Sequence, residues 1–310
     1  MKNLEDIKTV DDVSIGQFKA FIQKIGGLEN FKKFLRDELE LNFSEKDAVV
    51  VAAIKKLFDK TGRRIKPKDL KASICDPNKN YYVKQPAVID YSDRLYRGFE
   101  KTGLLSCMSA ADFTDEAIAL INEVNNDKQY KDLLNGPYLP IIIPKSKLTD
   151  LGAMTEELVG AAEKAYKKQF PNRPFTNYRK NDLKGKVSII PGSRYEQLLN
   201  KIKDESVVGI YFPTALQGYS VDAQREQMST MPERFILSGP LDTAMAFTMY
   251  SDVLGRDGST PVYDCSAVQW QSSESSLNFS ADDDYACFGY RARLSPAFVR
   301  SSGGLLFVKG

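Results

Sequence analysis

The chain contains no histidine. That absence excludes a Ser-His-Asp triad, a Cys-His nucleophile pair, an HExxH zinc site and a His-ligated haem. Acid–base chemistry, if there is any, falls to Asp, Glu, Lys, Tyr or Cys. Cysteine is scarce and scattered: Cys75, Cys107, Cys265 and Cys287 form no CxxC pair. They are expected to be reduced, small, buried hydrophobes. Long apolar runs are missing too. The longest, around Ala48–Ile54, falls far below the roughly 20 residues that span a bilayer. The opening stretch MKNLEDIKTVDDVS has no apolar signal region, so the expected location is the cytoplasm and no membrane partner is expected. Net charge is only +2, which gives little general attraction for phosphate backbones. There is no G-x-G-x-x-G, no Walker A loop and no metal-ligand spacing, so neither a cofactor nor a metal is expected.

The composition is that of a globular protein, with 42% hydrophobic and 27% charged residues over 310 positions. That length suggests about two domains. Residues 1–75 read as a helical domain. Phe18, Phe21, Ile22 and Ile25 recur at helical spacing, and Gly26-Gly27 interrupts before Leu28, Phe31 and Leu35 resume the pattern. The stretch SEKD at 44–47 resembles a capping box for a further helix carrying Val50, Ile54, Leu57 and Phe58. Residues 76–135 read as a mainly helical connecting region, with helices over Asp93–Lys101 and Asp115–Val124.

Residues 136–310 read as an α/β domain with a mixed sheet. YLPIII at 138–143 is a strand, and Leu151–Gln169 is a helix with one apolar stripe, its acids early and its lysines late. Three strand–helix units follow. KVSII leads into a helix expected to be capped by Ser193 and Glu196, SVVGIYF into one capped by Ser220, and RFILS into one with Pro240 at its first position and Asp242 in its first turn. Such alternation predicts a largely parallel sheet with helical crossovers. From Pro261 the helices vanish and short strands suggest an antiparallel C-terminal extension.

If those strands run parallel, the corners 191–194, 213–220 and 238–242 share the strands' C-terminal edge, where open α/β sheets bind ligands. Ser193, Arg194, Gln217, Tyr219, Arg225, Ser238 and Thr243 would supply the polar groups. The leading expectation is a non-catalytic protein that binds another protein or a small polar ligand at that edge. The first alternative is a histidine-independent enzyme using Asp222, Glu226 or Asp242 as acid or base. A catalytic Ser238 is disfavoured, because ILSGP lacks the first glycine of G-x-S-x-G. The second alternative is nucleic-acid binding through KTGRRIKPKDLK at 60–71, with six basic residues and one acid. An ordinary solvated loop after a helix is the favoured reading of that run. Asp282, Asp283 and Asp284 lack calcium-loop spacing and read as a turn before a strand. Alternation in VYDCSAVQW leaves neither face cleanly apolar, and Cys265 reads as a core filler.

Overall fold

The computed structural model describes residues 15–36, 39–43, 50–54, 56–77, 80–102, 108–147 and 149–310. The chain divides into two units, Met1–Leu57 and Phe58–Gly310. The division falls before the boundary read near residue 75 and places the basic run 60–71 in the second unit.

In the first unit, helices α1 (Ile15–Lys24) and α2 (Leu28–Leu35) are joined by Gly26 and Gly27, with φ of 90° and 97°. Both values lie where an L side chain is strained, so the glycine pair is what lets the chain reverse there. Phe31 of α2 meets Phe18 of α1 edge-on at 5.1 Å. An antiparallel hairpin follows, β1 (Leu39–Phe43) with β2 (Val50–Ile54). Val50 and Ile54 therefore lie on a strand and not on the expected helix. VVAAI is a short apolar run with β-branched residues, which fits either period until a pairing partner decides it. The capping box read at 44–47 lies outside the described residues.

The second unit begins its regular structure with α3 (Tyr91–Thr102), α4 (Ala110–Asn126), β3 (Leu139–Ile143) and α5 (Leu151–Gln169). Next come β4 (Phe175–Asn177), β5 (Val187–Ile189), α6 (Tyr195–Asp204), β6 (Val207–Gln217), α7 (Val221–Glu226), β7 (Phe235–Leu237) and α8 (Pro240–Met249). The chain closes with α9 (Ser251–Leu254), β8 (Val262–Cys265), β9 (Val268–Trp270), β10 (Ser276–Ala281), β11 (Ala286–Arg291) and β12 (Ser301–Val308). The expected α/β architecture and mixed sheet are present: eight strands run in the order β3-β6-β12-β8-β10-β11-β4, with β7 also paired to β12. Pairing within the sheet departs from the parallel pattern read from strand–helix alternation. Only β12 with β8 and β11 with β4 are parallel. The strands β6 and β7 do point the same way, but β12 lies between them and runs against both. The last strand of the chain thus takes the central place that a parallel neighbour would have filled.

Helices α3, α5 and α8 pack on one another, and α8 also lies against β3. Every residue of α8 is buried, as suits a segment that is apolar or small on all sides. Its threonines return their hydroxyls to its own backbone, Thr248 Oγ1 donating to the Ala244 carbonyl at 2.8 Å. The helix α5 is capped by Asp150, whose Oδ1 accepts the Ala153 N–H at 2.7 Å, while its Oδ2 accepts that of Gly185 at 2.9 Å. Those bonds draw the 183–185 loop onto the first turn, where a Cβ on Gly152 would collide with the Leu183 carbonyl. Gly152→Ala is therefore expected to lose about 1–3 kcal/mol through overpacking, exceeding the roughly 1 kcal/mol of helix propensity that alanine brings. Urea melts measure it; a variant more stable than wild type would show that the loop yields freely. Among the described residues no helix is long and apolar enough to cross a membrane.

Candidate functional site

Of the residues placed at the strand edge, Ser238, Asp242 and Thr243 do come together. Ser238 Oγ donates to Asp242 Oδ2 at 2.6 Å and lies 2.9 Å from Thr243 Oγ1. Asp242 Oδ1 accepts the Gly239 N–H and the Tyr195 hydroxyl, each at 2.9 Å. The Tyr195 oxygen in turn accepts the Leu241 N–H at 3.0 Å. All these side chains are buried. Burial pushes the Asp242 carboxyl up to about 6, against the pull of the bonds from Ser238, Gly239 and Tyr195. The cluster binds the start of α8 to α6 and is internally satisfied, which is how a buried polar group is kept tolerable.

The remaining edge residues serve the backbone. Ser193 is buried, and its carbonyl accepts the Leu237 N–H at 3.1 Å. It does not form the capping box read with Glu196: the N-cap of α6 is Arg194, at φ 63°. That residue is held in the left-handed region by its guanidinium, which donates to the carbonyls of Met228, Met231, Pro232 and Phe235. Arg225 similarly donates to the carbonyls of Ser266, Val268 and Ser273. Ser220 caps α7 as expected, accepting the Ala223 N–H at 3.1 Å.

The three candidate acids do not converge. Glu226 accepts the N–H groups of Lys71 and Ala72, each at 2.9 Å, and those bonds hold its carboxyl below the ordinary range. Asp222 accepts the Ser295 hydroxyl at 2.9 Å, and Asp242 is sealed as described. Asp282 pairs with Arg300 at 3.0 Å and Asp283 accepts the Gly258 N–H at 2.9 Å, in the turn between β10 and β11. Within the basic run, Arg64 is buried and donates to Gln227 Oε1 at 3.2 Å and Thr230 Oγ1 at 2.9 Å. It is a structural residue and not part of a basic surface.

A second buried polar cluster escaped the sequence reading. Asp264 on β8 faces Arg291 on β11, with Oδ1 3.2 Å from Nε. Its Oδ2 accepts from Ser301 Oγ and from Gln224 Nε2. Gln224 Nε2 also reaches the Tyr219 carbonyl at 2.9 Å, while its Oε1 accepts the Ser266 hydroxyl. Burial raises the Asp264 carboxyl, and the Arg291 charge opposes the rise. The one available signal was an aspartate inside an otherwise strand-like VYDC segment.

An open cleft of about 300 Å³ lies at the C-terminal end of β6. Gln217, the last residue of that strand, lines it together with Thr214, Arg63, Tyr81 and Tyr82. The turn after β6 is set by Gly218, at φ 79°, where a Cβ would collide with the Cys75 carbonyl. That close approach is fixed by the Cys75 N–H, which donates to the Gly218 carbonyl at 2.8 Å. Arg63 then bridges the two segments, Nε to the Gln217 carbonyl at 2.6 Å and Nη2 to the Cys75 carbonyl at 2.7 Å. Its guanidinium lies over the Tyr219 ring at 5.6 Å. The Tyr219 hydroxyl donates to the Arg64 carbonyl at 2.9 Å, and burial raises it to about 12. Tyr219 thus supports Arg63 from behind.

Gln217 Nε2 donates to the Tyr81 carbonyl at 2.8 Å. A carbonyl can only accept, so the amide nitrogen is fixed there and Oε1 remains as the acceptor this side chain offers. Two further clefts, of about 370 and 250 Å³, are lined by surface groups of both signs, lysines with Glu116 and Asp204 in one and Arg97 with Glu100 in the other. Among the described residues no three His, Cys, Asp or Glu side chains come together as metal ligands. No family model matches the chain, and no curated protein or solved structure matches it either.

Proposed function

We propose that this protein is a non-catalytic binding protein that takes a small polar ligand in the cleft at the end of β6. One observation carries the proposal: the cleft gathers Arg63, Gln217 and Thr214 beside two tyrosines, while none of the candidate acids lines it. Small-molecule sites are concave, mostly apolar and furnished with a few convergent polar groups, and about 300 Å³ is at the small end of their range. Each of the three candidate acids already accepts from protein donors, and the most perturbed of them, Asp242, is sealed inside the fold. Cytoplasmic residence belongs to the same proposal, supported by the free cysteines Cys75, Cys265 and Cys287.

The test is a screen of small polar metabolites by thermal shift, followed by NMR of each hit incubated with the protein. The expected result is a stabilising ligand that is recovered chemically unchanged. Its shift should fall at least tenfold in Gln217→Leu and persist in Asp222→Asn. Conversion of the ligand, or a shift indifferent to Gln217, would overturn the proposal.

A further inference from the structure

We infer that the ligand of the β6 cleft is a compact organic anion with a flat apolar body, of the aromatic monocarboxylate class. The inference rests on the proposed binding function and concerns what the cleft would select. Arg63 is the one charged side chain among the described residues that line it. The rest are neutral: Thr61, Pro77, Val83 and Pro137 complete a wall otherwise formed by the two tyrosines, Thr214 and Gln217. The cleft therefore holds a positive charge with no carboxylate in its lining to balance it.

The arrangement of donors gives that charge a direction. Nε and one N–H of Nη2 are taken by backbone carbonyls, which leaves Nη1 without a protein acceptor among the described residues. A carboxylate oxygen on Nη1 would form a charge-assisted bond, stronger than a neutral one. The carbonyl bonds at Nε and Nη2 fix the guanidinium plane in advance, so little freedom is lost on binding. The neighbouring threonine hydroxyl of Thr214 can add a further donor, whereas Gln217 Oε1 discriminates for a ligand that also carries an N–H or O–H.

The body of the ligand follows from the tyrosines. Arg300 lies over the Tyr81 ring at 5.6 Å and Arg256 over the Tyr82 ring at 4.9 Å, and neither arginine lines the cleft. Both guanidinium groups have carboxylate partners of their own, Asp282 and Asp257, so their charge is spent locally and their role is to hold the rings. Rings held in this way present flat apolar surface at low entropic cost. With about 300 Å³ in the open cleft, a single ring with its anionic group is accommodated.

The experiment is an NMR titration of the full-length protein with benzoate, benzamide and acetate, at one pH and ionic strength. Benzoate is expected to give saturable shifts at Thr214, Gln217 and Tyr82. Benzamide lacks the charge, and the neutral bond its N–H can give Gln217 Oε1 is weaker than the charge-assisted bond it forgoes at Arg63. Benzamide, like acetate, which lacks the ring, should therefore bind at least tenfold more weakly. Arg63→Met and Tyr82→Ala should each weaken benzoate at least tenfold. The comparison of the three compounds on wild type decides the inference even if Arg63→Met does not fold. Benzamide equal to benzoate would overturn the anion, and acetate equal to benzoate would overturn the ring. If these compounds fail but a polar metabolite from the screen binds at the same residues, the inference falls and the binding function stands. If no compound of either set shifts those residues, both fall.

Discussion

Asp264→Ala is expected to destabilise the fold by about 3 kcal/mol, the lower end of the cost of removing one partner of a buried ion pair, because the Arg291 side chain is 16% exposed. The carboxylate it deletes is fully buried against Arg291, and Ser301 and Gln224 would lose their acceptor with it. Arg291 cannot escape by losing its proton, since a guanidinium stays charged at any ordinary pH. Its side chain lies over the Phe298 ring at 5.0 Å, so swinging out to water would also give up that contact. The reciprocal change should be milder. In Arg291→Met the carboxyl, already raised by burial, can take up a proton and remain as a neutral hydrogen-bonding group. The expected order of urea-melt stability is therefore wild type, Arg291→Met, Asp264→Ala, with the second gap the larger. A loss below about 1 kcal/mol for Asp264→Ala, against the cost usual for such a pair, would show that the partly exposed guanidinium is hydrated well enough to stand without its carboxylate.

What the sequence disclosed follows the range of the interactions involved. The helix α5 was legible because its stripe of Leu151, Met154, Leu158, Ala162, Ala165 and Tyr166 is local and one-sided, and all six are buried. The strand–helix alternation was legible for the same reason. The position of β12 was not, because its insertion between β6 and β8 rests on pairings with strands distant in the chain, such as Phe307 with Ile210. No periodicity in SSGGLLFV marks it as central. Asp242 showed its local role, accepting the Gly239 N–H at the start of α8. Its burial was invisible, because that depends on Tyr195 arriving from another helix. The cleft divides in the same way. Gln217 is legible as a polar residue of the corner 213–220, although the strand runs on through that corner to end at it. Arg63, Tyr81 and Tyr82, by contrast, belong to a loop-rich stretch without period and reach the strand end only through tertiary bonds.

The burial of Asp242 reverses what a first-turn aspartate would ordinarily do with pH. An exposed carboxylate at a helix N-terminus adds about 0.5–1 kcal/mol when ionised, and its replacement by asparagine would cost that much. Here burial raises the folded carboxyl from 3.8 to about 6. Between those values the folded protein binds the proton and the unfolded chain does not, so this group's contribution to stability is fully present below the lower value and is lost as pH rises through the upper one. The span corresponds to about 3 kcal/mol. The side chains that face the carboxyl are Ser238, Tyr195 and Cys265, with Tyr211 close by, and burial raises the phenols and the thiol, so none changes charge in this window. In Asp242→Asn the amide oxygen can still accept from Gly239 and Tyr195, and the Ser238 hydroxyl can turn toward Thr243. The variant should thus match or exceed wild type in urea melts at pH 7. Wild type should recover about 2 kcal/mol relative to it as the pH is lowered to about 4, and the full span only below the lower value. Groups whose carboxyls are held low, Glu226 and Asp257, act in the opposite direction, but they are common to both proteins and cancel in the difference. Parallel stability curves would mean that the carboxyl titrates as it does in water, and a variant less stable at pH 7 would mean that helix capping outweighs the cost of burying the charge.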